Sequence, residues 1–245
     1  MGLMDIWFNR KKVKIDSKDS LTQAAIYYGM LPFFHNEVRG FSVAEMALPG
    51  MLFGEHGDDE GCWEWKGPVI RERTTAYGKF FRKKAGFVSL ELFPDFLNYR
   101  RAKYPVKPSS TEEMILEIIR ENEGLTSTDL KNYIFGFPSR SRMPWDIPDK
   151  EEQRRIKKRP SIETPLQKLQ MGGWLLISDF EYKLTKRGER YGWGVAKYST
   201  PELWLGDKIK YITDRDPLES LDRMVEEIKR RLPGSNKSSI RKLIQ

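Results

Sequence analysis

The sequence predicts an α+β fold, with a winged helix-turn-helix at residues 107–206 packed on a smaller N-terminal α/β part at 1–106. A helix and a basic tail follow at 207–245. Three observations predict this. Residues 110–200 hold three helical patterns followed by a β-hairpin pattern, the order of a winged helix. Two stretches rich in aromatic and β-branched residues, 63–70 and 76–89, lie between helical patterns in the first half and read as strands. Aromatics make up 12% of the chain, enough to build a core and too many for a disordered segment.

The elements follow in order. Ser20 precedes LTQAAIYYGM, where Leu21, Ala24, Ala25 and Tyr28 share one face, so 20–30 is expected to be a helix capped by Ser20. Gly29 and Pro32 stop it, and 35–60 reads as loop. WEWKGPVI and AYGKFFRKKAGFVS are the two strand stretches, and Pro94 opens a helix running to about Lys103. Ser110-Thr111-Glu112-Glu113 is a capping box ahead of Met114, Ile115, Ile118 and Ile119. A second helix, capped by Thr126 or Ser127, is expected to bury Leu130, Tyr133 and Ile134. A long loop with the basic run Arg154–Arg159 comes next. A third helix carries Leu166 and Leu169 inward. Thr164 as its cap puts Pro165 at the first helical position, whereas Ser161 would put Pro165 too deep. WLLISDF is a strand, and the hairpin after it carries Lys186-Arg187-Gly188 at its tip. Thr200-Pro201 opens a short helix and Asp216-Pro217 a longer one with Leu218, Leu221, Met224, Val225, Ile228 and Leu232 at helical spacing. The tail GSNKSSIRKLIQ reads as polar and mobile.

Composition excludes several classes of function. Cys62 is the single cysteine, which rules out an internal disulfide and a Cys-rich zinc site. His35 and His56 are the two histidines, and there is no HExxH, so no metal is expected. The absence of GxxxxGK[ST], GxGxxG and GxSxG argues against common nucleotide-binding and serine-hydrolase sites, and no cofactor is expected. Apolar runs are only a few residues long, far short of the ~20 of a membrane span. The basic cluster of MGLMDIWFNRKKVK follows the apolar residues, the reverse of a secretory signal, and Ile6 departs from a myristoylation pattern. A cytoplasmic protein without a membrane partner is expected.

Charge points to a polyanion. The net charge is +8, and residues 150–200 hold 12 basic against 6 acidic residues. A local positive field attracts phosphates and releases counterions on binding. On a winged helix, a short third helix fits the major groove while a basic wing reaches the adjacent backbone. Here Arg154, Arg155, Lys157, Lys158 and Arg159 flank the third helix on one side, and Lys183, Lys186, Arg187 and Arg190 on the other. Gln167, Lys168 and Gln170 are the only long polar side chains of TPLQKLQM, too few to read bases well. Arg82, Lys83 and Lys84 add a third basic group. Double-stranded DNA, bound with weak sequence specificity, is the expected partner; a winged helix that binds only protein is the competing class.

Four stretches carry a family resemblance. YGKFFRKKAGFVSLELFPDFLNYRRA (77–102), EMILEIIRENEGLTSTDL (113–130), TPLQKLQMGGWLLIS (164–178) and YGWGVAKYSTPELW (191–204) resemble, in order and spacing, segments of the AlkZ/YcaQ-like bacterial DNA glycosylases. Of that group, the chain more nearly resembles the short AlkZ-related members. It implies tandem winged-helix units, so a winged-helix-like N-terminal part, and removal of alkylated or crosslinked bases from DNA. The family's catalytic Gln-x-Asp or Gln-x-Gln follows an early helix ending in Gly-Leu-Leu; the matching stretch here is Gly29–Phe34, with Pro32 and Phe34 at the Gln and Asp positions. Neither can transfer a proton. The family's His-Glu pair aligns with Lys83-Lys84. The resemblance thus implies a DNA-binding relative without the catalytic pair. The alternative is an active repair enzyme using a substitute carboxylate, for which Glu37, just after the lost motif, and Glu64, between Trp63 and Trp65, are the candidates. As a strand, 63–70 would turn Glu64 to solvent.

Overall fold

The structure, a computed structural model, describes residues 13–54, 60–122, 124–136, 154, 161–185, 187–188, 190–212 and 214–245. Its first half is a three-stranded antiparallel sheet wrapped by helices. Helix α1 (Lys18–Tyr28) is capped by Ser17, not Ser20. The Ser20 N–H donates to Ser17 Oγ while the Ser17 N–H donates to Ser20 Oγ, a capping box that starts the helix earlier than its apolar face suggests. Gly29 ends it at a φ of 73°. A Cβ there would meet Leu92 and Arg231, so space as well as backbone angle requires glycine.

Strand β1 (Met30–Pro32) pairs with β3 (Lys84–Ser89), which pairs with β2 (Thr75–Phe81), in the order β1-β3-β2. Phe81 sits opposite Lys84, so Arg82 and Lys83 form a two-residue turn, with φ of 47° and 72°. Both residues in the left-handed region is the geometry of a type I′ hairpin turn, normally given to Asn and Gly. A short helix α2 (Val43–Met46) follows β1.

Residues 62–71 correct the sequence reading: they form helix α3 (Cys62–Arg71), not a strand. Cys62, Lys66, Val69 and Ile70 are buried at helical spacing, and the aromatics at 63 and 65 only imitate alternation. A lysine on the buried face hides the helical period from an apolar count. The carboxylate of Glu64 accepts the Gly61 N–H at 3.2 Å and closes the first turn.

Helix α4 (Phe93–Lys103) joins the halves. Its buried Asp95 pairs with Arg215 and, at 2.7 Å, with Arg223. Buried Arg100 donates to the Phe80 carbonyl at 2.6 Å. Helices α5 (Thr111–Glu121) and α6 (Ser127–Phe135), the short strand β4 (Leu125–Thr126), helix α7 (Glu163–Met171) and the hairpin β5 (Leu176–Leu184) and β6 (Arg190–Ser199) make the second half, with strand order β4-β6-β5. Ser110 caps α5 and Thr126 caps α6 as expected, and Leu130, Leu166 and Leu169 are buried. The Glu113 carboxylate reaches the Ser109 N–H rather than that of Ser110.

Other readings need correction. Tyr133 is exposed, because its hydroxyl donates to Asn122 Oδ1 at 2.7 Å on the surface; Met114 and Leu218 are exposed too. Helix α7 starts at Glu163 with Ile162 as its cap, two positions before the expected cap Thr164. Pro165 then falls third, within the first turn, where its missing N–H has no helical partner to lose. The tail, read as polar and mobile, is a packed helix: after α8 (Pro201–Leu205) and α9 (Pro217–Arg231), helix α10 (Lys237–Ile244) buries Ile240, Leu243 and Ile244. In all, the described residues form ten α-helices and two small antiparallel sheets, an α+β architecture.

The two halves are in close contact. Helix α7 and strand β5 pack on β2, and β5 also packs on α3. Arg71 of α3 pairs with Asp179 of β5 at 2.7 Å, and Trp174 Nε1 donates to the Tyr104 carbonyl at 2.7 Å.

Candidate nucleic-acid interface

The exit of β1 opens into a cleft of about 300 Å³ lined by Pro32, Phe34, Asn36, Glu37, Arg82 and Lys84 together with buried Phe81 and Leu243. Asn36 shapes its rim: its amide donates to the Phe41 carbonyl at 2.7 Å and its oxygen accepts the Val38 N–H at 2.8 Å. That turn carries Glu37 to the Arg82 guanidinium, and the two form an ion pair across the cleft mouth. Lys84 Nζ donates to the His35 carbonyl at 2.8 Å. Lys83 is exposed at the turn. The structure therefore brings Glu37, Arg82, Lys83 and Lys84 together beside Phe34. Only Glu37 carries a compensating charge among the lining residues.

Phe34 also faces an aromatic cluster. Its ring centroid is 6.2 Å from that of Trp63, which stands 5.7 Å from Phe33, 5.9 Å from Phe53 and 5.4 Å from Trp193. Buried Lys66 places its ammonium 3.7 Å from the Trp63 ring centroid and 4.5 Å from that of Phe180, and donates to the Trp63 carbonyl. Burial pushes the Lys66 ammonium down to about 8, against a smaller upward pull from Glu64.

Residues 15–245 match the model of the AlkZ-related family. The chain belongs to the AlkZ-related family. Among solved structures it is similar to the DNA glycosylase AlkZ of Streptomyces sahachiroi, at 11% identity and a TM-score of 0.46, over 90% of this chain and 52% of that one. The chain thus spans about half the length of that enzyme. No curated protein matches.

The remaining cations of this AlkZ-related protein are spread out. Lys168 lies on a second cleft, of about 290 Å³, beside Tyr104, Lys107 and Trp174, and pairs with Glu112 at 3.0 Å. Gln167 is half-buried, and Gln170 is buried with its side-chain oxygen accepting the Lys79 N–H at 3.0 Å. Arg187 and Arg190 are exposed on the β5–β6 hairpin, with the Arg190 guanidinium 4.8 Å from the Tyr182 ring centroid. Arg154 is exposed. Arg155, Lys157, Lys158, Arg159, Lys186 and the Lys183 side chain lie outside the described residues. Both candidate carboxylates have structural partners: Glu64 closes α3, and Glu37 neutralises Arg82. Among the described residues no group of three or more His, Cys, Asp or Glu side chains could hold a metal ion, and no helix is long and apolar enough to cross a membrane.

Sequence reasoning missed Trp193, Phe53 and Lys66. An exposed tryptophan on a predicted wing is a usable signal. The convergence of residues 53, 63 and 193 is a tertiary fact with no local pattern.

Proposed function

We propose that this AlkZ-related protein binds double-stranded DNA with little sequence preference and does not excise bases. The observation that carries this is the run Arg82-Lys83-Lys84, whose first two residues form a left-handed turn and whose third opens β3, beside the cleft at Phe34. Two non-glycine residues in the left-handed region cost roughly 1–2 kcal/mol each, a strain kept where the chain must present side chains in a fixed direction. Cations held so, on a chain of net charge +8, suit phosphate contacts.

The second half is a winged helix in this reading, supported by the order α5-β4-α6-α7-β5-β6 and a sheet that adds β4 to the hairpin edge. Docking of α7 on β2 and the Lys168–Glu112 pair leave that helix few free polar groups, which favours backbone contact over base readout.

Base excision needs a group that activates water. The positions matched to the family's catalytic pair hold Pro32 and Phe34, and Glu37 and Glu64 are engaged elsewhere. The test is abasic-site formation on alkylated duplex DNA that the protein demonstrably binds. No release above buffer is expected. Release by the wild type, abolished in Glu64→Gln or Glu37→Gln, would overturn the reading and make the chain an active enzyme with a substitute carboxylate.

A further inference from the structure

We propose that Trp193 and Phe53, braced by Trp63, form a stacking platform for an unpaired nucleobase, so that the protein favours DNA carrying a bulged nucleotide over perfect duplex. This rests on the DNA-binding reading above and adds the feature of the DNA that the site selects.

The rings arrive from separate places: Phe53 from the loop before α3, Trp63 from α3, and Trp193 from β6 of the other half. Trp193 is 70% exposed and Phe53 53% exposed, so much of each residue is open to solvent. Both rings touch Trp63, so they form one aromatic patch rather than scattered single residues. The cluster is also stiff at its root. Trp63 is gripped by the Lys66 ammonium at 3.7 Å from its ring centroid and by the edge-on Phe33 ring at 83°. Trp193 meets Trp63 edge to face, at 86°. A ring held in place loses little freedom when a flat partner stacks on it.

Size and charge select the partner. Two exposed rings match one or two bases, and fall well short of the ~800 Å² per partner of a stable protein–protein interface. Arg187 and Arg190 are exposed on the same hairpin as Trp193, and cations near a stacked base suit its flanking phosphates. Every base has a π-face, so such a platform reads the absence of pairing rather than sequence.

The test is fluorescence anisotropy with a labelled perfect duplex, the same duplex with a one-nucleotide bulge, and single-stranded DNA. Wild type, Trp193→Leu and Trp193→Phe are compared, with circular dichroism checking that each variant folds. The bulged duplex should bind about tenfold tighter than the perfect one, the low end of base–aromatic stacking. Trp193→Leu should erase that preference without changing perfect-duplex affinity, and Trp193→Phe should keep most of it. Equal affinity of wild type for bulged and perfect duplex, or a preference that survives Trp193→Leu, overturns the platform while DNA binding stands. No binding to any of the three DNAs overturns the DNA-binding reading itself. Wild-type dimerisation in sedimentation, lost in Trp193→Leu, overturns the platform in favour of a second copy covering the rings.

Discussion

The side-chain oxygen of Gln170 on α7 accepts the backbone N–H of Lys79 on β2 at 3.0 Å. Lys79 lies where the β2–β3 ladder slips register, so the strand partner leaves this N–H for another acceptor. Gln170 supplies it from the other half of the molecule, and its own amide donates to the Leu166 carbonyl at 3.2 Å. The helix that a DNA-binding module would offer to the groove is thereby fastened to the first sheet.

Gln170→Leu keeps the volume but orphans the Lys79 N–H. It should cost about 1–3 kcal/mol, the penalty of an unsatisfied buried donor, read as a lower midpoint in urea unfolding. A change under about 0.5 kcal/mol, ordinary for a surface site, would show that the tie carries no stability.

Leu166, on the same helix, is fully buried. Leu166→Ala should lose about 2–5 kcal/mol in the same measurement, through lost burial and the cavity left behind. Leu218→Ala serves as the control, because Leu218 is exposed and should change stability little.

Lys66 gives a pH signature. Burial holds its folded-state value near 8, against 10.5 for a free lysine. Between those values the unfolded chain binds more protons, so this group makes stability rise with pH across about 8 to 10.5. Buried Cys62, pushed up to about 12, acts oppositely above pH 9, and Tyr28 and Tyr198, likewise near 12, do so above about 10. The difference between wild type and Lys66→Met isolates the lysine. Lys66→Met should be the more stable at pH 7, by an amount of the order of 2 kcal/mol, and the gap should close by pH 10.5. A gap constant with pH would contradict a desolvated ammonium at this site.

Cys62 is buried with its thiol held protonated at neutral pH. It should react with a thiol reagent at pH 8 only when the chain opens, so labelling should track unfolding in urea. Rapid labelling of the native protein would place Cys62 at the surface and undo the position of α3.

The sequence is informative where local chemistry decides structure. Ser110, Thr126 and Asp216 announce their helices, and the apolar spacing in 110–200 locates Leu130, Leu166 and Leu169 in the core. It misleads where a tertiary environment overrides type. Lys66 sits on the buried face of α3, sheltered between two aromatic rings, and its charge hides the helix from an apolar count. The tail reads as polar because Lys237, Ser238 and Arg241 dominate it, while its burial rests on Ile240, Leu243 and Ile244 alone. The basic turn at Arg82–Lys84 was legible as charge; its pairing with Glu37 over a cleft was not, because it depends on the Asn36 turn and the hairpin meeting in space.

The salt dependence of DNA binding bears hardest on the account. Anisotropy of a labelled duplex with the wild-type protein, from 50 to 300 mM salt, should show affinity falling with a log–log slope of several units, at ~0.9 per phosphate contact. Neutralising Arg82, Lys83 and Lys84 should flatten that slope by about 1–3 units. Binding that is absent, or indifferent to salt, would contradict the assignment of this chain to DNA.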